Sequence, residues 1–247
     1  MTEIAPMQDA MLRLLFAERA DEADLALLAP EAGRERERIQ VYRELGRHRI
    51  HELVRSALPR TSDALGDTGA RIDAWLAIDV PRSRFFRDLP LLFAAHLDAQ
   101  LEGAPDASVP PFARDLLALE SARWRAMIAV EDTSPVVPFD LEKVPAPSAT
   151  LHVLSPGWSV HREGAPEPGR FFVCVYRRPD HVVETRWSER VHGRLVEAWA
   201  RADRPAIDAV RAVLADEGLS PDHAFVERMS ELLATLLERG ALRGSRP

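Results

Sequence analysis

Through roughly the first 130 residues, apolar side chains recur at spacings of three and four. After residue 147 they alternate or bunch in short extended runs, and from about residue 189 the helical spacing returns. This pattern predicts a mainly α protein with a small α+β part. We expect a helical N-terminal domain over residues 1–130, a proline-rich linker over 131–149 and a second domain of strands and helices over 150–247. In the last of these, three or four antiparallel strands precede three helices.

The strands are the clearest feature of the second half. Arg170 to Tyr176 is dense in aromatic and β-branched residues suited to a pleated surface. Arg177 to Asp180 carries a Pro-Asp pair that turns the chain, and His181 to Trp187 returns as the partner strand. Upstream, Leu151 to Leu154 and Trp158 to His161 are short extended runs separated by the turn tripeptide Ser155-Pro156-Gly157. Three helices follow. Ser188 is placed to cap the first, with Val191, Leu195, Val196 and Trp199 inward. Pro205 opens the second, with Ile207, Val210, Val213 and Leu214 inward and Gly218 ending it. The third starts at Ser220-Pro221-Asp222, runs the stripe Phe225, Met229, Leu232, Leu233 and Leu236, and stops at Gly240, after which Ala241-Leu242 tucks back onto the core.

Trp75 and Trp124 stand among apolar neighbours three and four residues away and are expected in helix cores. Trp187, at the end of the last strand, either seals the sheet or lines a groove beside it. The segment Glu131 to Ala149 holds Pro135, Pro138, Pro145 and Pro147, which exclude a helix and imply an extended linker. Gly103 to Ser108 and Gly164 to Gly169 read as irregular connections.

The charge is uneven. The net of −7 falls entirely within Met1–Pro147, while Ser148–Pro247 is neutral. An acidic chain lacks the phosphate-neutralising charge that supplies most non-specific DNA affinity, so nucleic acid is not an expected partner. A local exception lies between Arg34 and Arg60, where eight arginines meet four acids. There Arg38, Tyr42, Arg43 and Arg47 form a candidate contact for a partner or an anionic ligand, weighed against a solvated helix face laced with Glu and Arg pairs. Glu120 and Arg123, on the Trp124 helix, are a second candidate partner contact, again weighed against a solvated face.

No catalytic constellation emerges, so the chain is not expected to be an enzyme by itself. His48 and His51 beside Glu52 lack the zinc-protease spacing, and the surrounding arginines repel a cation, so no metal or other cofactor is expected. Cys174 sits inside an apolar strand, where a cysteine is ordinarily a small buried hydrophobe. Ser155, Ser159 and His161 lack a nucleophile elbow. A single cysteine, the lack of an N-terminal signal pattern and the lack of a bilayer-length apolar run lead us to expect a cytoplasmic protein with no membrane partner.

Two resemblances join these observations. The strands followed by three helices, closing on Leu-Glu-Arg-Gly-Ala-Leu-Arg, resemble the PqqD-like winged-helix element that recognises precursor peptides in ribosomal-peptide (RiPP) modification. The resemblance spans roughly Leu151 to Arg243. It implies a leader peptide lying as an added strand between the last strand and the last helix, with Val183, Thr185, Arg228 and Leu232 as groove residues.

The first half, from about Met7 to Asp132, carries Glu37 to Arg43, Arg49 to Leu53, Ala57-Leu58-Pro59-Arg60-Thr61, Ala64-Leu65-Gly66, Pro81-Arg82-Ser83, Pro110-Pro111-Phe112-Ala113 and Leu116 to Trp124. These landmarks resemble the N-terminal domain of the HvfC and BufC family, labelled a DNA-binding domain, of which MbnC is a distant relative. Leu58 stands where that family commonly has an aromatic. The resemblance implies a non-catalytic partner that binds the precursor leader and presents it, within a heterodimer, to a multinuclear iron-dependent barrel-fold oxidase. The competing expectations are a DNA-binding transcriptional regulator and an assembly scaffold without peptide affinity.

Overall fold

The computed structural model describes residues 4–16, 21–30, 33–78, 85–103 and 108–247. Pro81-Arg82-Ser83 and residues 104–107 of the predicted irregular stretch lie outside the described residues. The protein is mainly α with a small α+β part, and the chain divides into two compact units, Met1–Ala113 and Arg114–Pro247.

Among its described residues the first unit has helices as its only regular elements. It contains α1 (Ile4–Phe16), α2 (Glu22–Leu28), α3 (Arg34–Ala57), α4 (Pro59–Leu65), α5 (Thr68–Ile78), a 3-10 turn at Phe86–Asp88 and α6 (Leu89–Gly103). Asp21 caps α2 by accepting from the Ala23 amide, and Pro59 takes the first turn of α4, where its missing N–H costs nothing. The long helix α3 buries only Ile50, Val54 and Ala57, all in its C-terminal half. Around that half lie Leu58, Ile72, Trp75, Leu76, Phe93 and Leu97, with the Trp75 ring edge-on to Phe93 at 5.5 Å.

The second unit takes in α7 (Ala113–Ile128) from its second residue onward. It continues with β1 (Pro145–Pro147), β2 (His152–Leu154), β3 (Phe172–Arg177), β4 (Val183–Ser188), α8 (Arg190–Arg201), α9 (Ala206–Glu217), α10 (His223–Glu238) and β5 (Leu242–Ser245). The order of strands followed by three helices is as expected. The antiparallel sheet β2-β3-β4 leaves β4 at one edge, and β1 and β5 form a separate two-stranded ribbon.

Cys174 and Tyr176 of β3 join Leu195, Val196 and Trp199 of α8, Val210 and Val213 of α9, and Phe225, Met229, Leu232 and Leu236 of α10 in one buried cluster. Gly193 of α8 is what lets the helix approach β3, because a Cβ there would stand 2.1 Å from the Phe172 Cβ.

Several local expectations change. Ser188 ends β4 and does not cap α8, whose N-cap is Glu189 with no side-chain bond. Within the expected Ser220-Pro221-Asp222 start, it is Asp222 that caps α10, by accepting from the Phe225 amide. Trp158 to His161 is not a strand: Trp158 makes a single bridge to Pro168, and the following residues turn. The segment 131–149 holds no helix, but it is not extended throughout: it turns at 141–143, where the Lys143 amide donates to the Asp140 carbonyl, and part of it is a strand. Pro145 and Pro147 pair with β5, and Val137 and Ser245 exchange backbone hydrogen bonds. Gly244, at φ +135, makes this possible, since a Cβ there would meet the Val137 carbonyl at 2.2 Å.

Candidate functional site: the open edge of the three-stranded sheet

The hairpin between β3 and β4 fixes which groups of β4 point outward. The Arg178 amide donates to the Val182 carbonyl, closing a turn in which His181 adopts a left-handed φ of 65. That pair is hydrogen-bonded, so pairs alternate along the ladder. The registered pairs Tyr176 with Glu184, Cys174 with Arg186 and Phe172 with Ser188 are bonded, and those of Val183, Thr185 and Trp187 are not. The N–H and C=O groups of Val183, Thr185 and Trp187 therefore face away from β3, on the side where no further strand pairs.

Side chains alternate as well. Arg186 and Glu184 lie opposite Cys174 and Tyr176, which belong to the helix-packed core, so Glu184, Arg186 and Ser188 share the helix side of the sheet. Val183, Thr185 and Trp187 occupy the other side. There the Trp187 ring is 46% exposed, stacks on His161 at 6.4 Å and lies under the Arg162 guanidinium at 5.4 Å.

Between β4 and α10 runs a groove of about 310 Å³, bordered on the sheet side by Arg186, Trp187 and Ser188 and on the helix side by Arg228, Glu231, Leu232 and Thr235. Glu189 and His192 stand at the start of α8. Toward the hairpin, Arg239 donates to both Glu184 carboxylate oxygens at 2.8 and 3.0 Å. At the other end, His192 stacks on Phe225 at 6.3 Å with Glu189 3.9 Å away. Burial, aided by Arg228, pulls the His192 imidazole below its ordinary value, against the opposing pull of Glu189.

Of the groove residues named from sequence, Trp187, Arg228 and Leu232 border this cavity. Val183 and Thr185 do not line it, and contribute their outward backbone groups instead. The sequence reasoning missed Arg186, Glu231 and Thr235. A signal for the last two existed, since they follow Arg228 at helical spacings of three and seven.

The arginine-rich helix behaves differently. The Arg43 Nε donates to the Leu14 carbonyl at 3.0 Å, and Arg47 donates to the Phe16 carbonyl at 3.1 Å and pairs with Asp73. Both therefore cap the C-terminal carbonyls of α1, which attract cations. The His51 Nε2 also meets Asp73, at 2.9 Å, while His48 pairs with Glu52 at 3.3 Å.

Arg38 and Tyr42 remain on the surface. Tyr42 is 64% exposed and shares an open concavity of about 530 Å³ with Val41 and Leu45. On α7, Arg123 is exposed but Glu120 is only 5% exposed, so the expectation of an outward pair does not hold at Glu120. Trp124 of the same helix is half-buried.

Cys174 is buried, its thiol lies 3.6 Å from the Arg186 carbonyl, and burial pushes its pKa up to about 11, which keeps it protonated and unreactive. Among the described residues no group of three or more His, Cys, Asp or Glu side chains is arranged to hold a metal ion, and no helix is long and apolar enough to cross a membrane. Neither the protein-family models nor the curated proteins give a match to this chain.

Proposed function

We propose that the chain is a non-catalytic recognition subunit in ribosomal-peptide modification, which takes an extended leader peptide as an added strand on β4 and presents it to an iron-dependent barrel-fold oxidase. One observation carries this reading. The outward N–H and C=O groups of Val183, Thr185 and Trp187 run alongside a groove whose far wall is α10. An extended peptide satisfies such a row of backbone groups without any demand on its sequence, while the groove supplies side-chain selection. The resemblance of the first half to the HvfC and BufC family, and of the second to PqqD-like recognition elements, supports a reading in which the oxidase is the partner and carries the peptide chemistry.

The test is binding of precursor leaders encoded near this chain. Hydrogen exchange on the full chain should slow at the Thr185 and Trp187 amides when a leader is added. Val183→Pro removes an outward N–H and no bond to β3, so it should abolish binding while circular dichroism stays unchanged. Normal binding by that variant would sink the proposal. Salt separates this reading from DNA binding: strand addition changes little with ionic strength, whereas phosphate contacts weaken steeply. Copurification with the oxidase and no leader affinity would favour the scaffold reading instead.

A further inference from the structure

We infer that the β4 edge selects a peptide carrying an acidic residue directly opposite Arg186, flanked by apolar residues, an inference that rests on the strand-addition reading. In an added strand, the residue opposite Arg186 shares its side of the sheet and enters the groove, while its two neighbours face the side of Thr185 and Trp187. Three groups of β4 point to the groove side, and they differ. Glu184 is neutralised by two bonds from Arg239 and has Arg178 4.0 Å away, and Ser188 is uncharged. The Arg186 side chain makes no hydrogen bond or ion pair among the described residues although it borders the groove.

The acids of the groove do not cancel it. Glu231 stands on the helix wall and Glu189 lies by His192, whereas a docked residue opposite Arg186 is its direct cross-strand neighbour, where opposite charges attract and like charges repel. The Arg228 side chain, also without a hydrogen bond or ion pair among the described residues, adds a second cation on the helix wall. On the other side, the half-exposed Trp187 ring with His161 and Arg162 against it presents an aromatic surface to an apolar neighbour.

The experiment uses the full chain and three short synthetic peptides of alternating Thr and Ile that differ only at a central Asp, Ser or Lys, followed by fluorescence polarisation. The Asp peptide should bind tighter than the Lys peptide by about fivefold, the range expected of a cross-strand charge pair. Arg186→Glu should reverse the order, and Arg211→Glu, on α9 where Arg211 pairs with Asp208, should leave it unchanged. Equal binding of all three peptides with slowed exchange at Thr185 and Trp187 overturns the charge selection and leaves strand addition standing. No binding by any of them also overturns it, while the leader assay judges the parent reading separately.

Discussion

Two sets of arginines in this protein look alike in composition and differ in what they do. On α3, Arg43 and Arg47 reach back to the Leu14 and Phe16 carbonyls, and Arg36 pairs with Glu22, so the densest basic stretch of the chain largely fastens α1 and α2 to the long helix. Beside β4, Arg186 and Arg228 come from a neutral stretch, and neither side chain has a hydrogen bond or ion pair among the described residues. Local charge density therefore points to the wrong helix. What matters for recognition is whether a cation is already satisfied from within, and the loose carbonyls at the C-terminus of α1 are what satisfy those of α3.

The largest effect expected from this contrast is on stability. Arg47→Ala takes the Arg47 donor from the Phe16 carbonyl and leaves Asp73 with His51 alone, and Arg47 is only 16% exposed, so we expect a loss of about 2 kcal/mol in chemical denaturation of the helical unit. Arg43→Ala removes the donor to the Leu14 carbonyl and should cost about 1 kcal/mol in the same measurement. Arg43→Lys should restore little, because the ammonium does not reproduce the planar reach of the guanidinium.

The same distinction explains which parts of the molecule were legible in the sequence. The β3–β4 hairpin was readable because the Pro-Asp turn and the β-branched run act locally. The closing helix α10 was readable because Phe225, Met229, Leu232 and Leu236 repeat on one face. The β1–β5 ribbon was not, since Pro145 and Pro147 argue against a ladder and their partners lie near the opposite end of the unit. The groove was half legible. Leu232 and Arg228 follow from helical period, but the side on which Arg186 projects depends on the register of β4, which is set by Val182 bonding to Arg178 and is invisible to a pattern of alternate residues. Satisfaction was equally hidden, because the contact of Arg43 with Leu14 spans 29 residues and no periodicity announces it.

A third set of arginines sharpens the contrast through pH. Arg194 and Arg190 hold Glu217, and the hydrogen bond from Arg194 is the main reason its carboxyl titrates below the ordinary 4.5. A carboxylate whose folded pKa is depressed adds stability that is complete above its unfolded value and is lost as pH falls through the folded one. The denaturation midpoint of the parent should therefore exceed that of Glu217→Gln near neutrality, and the two should converge as the solution is acidified below about pH 4.5. A gap that persisted into acid would mean that Glu217 acts through packing rather than charge.

The smallest expected effect is the most discriminating. Arg186→Ala with Arg228→Ala removes two side-chain cations that pair with no group among the described residues, so the denaturation midpoint should stay within about 0.5 kcal/mol of the parent. The buried cluster beneath them is apolar and is held by Tyr176, Trp199 and Leu236, none of which relies on either guanidinium for a hydrogen bond. Calorimetry on the double variant beside Arg47→Ala gives the comparison directly. If the double variant melts as early as Arg47→Ala, the groove arginines are structural and their availability to a docked peptide is lost. If it melts with the parent while preference for the Asp peptide disappears, charge on β4 and α10 serves recognition and charge on α3 serves the fold.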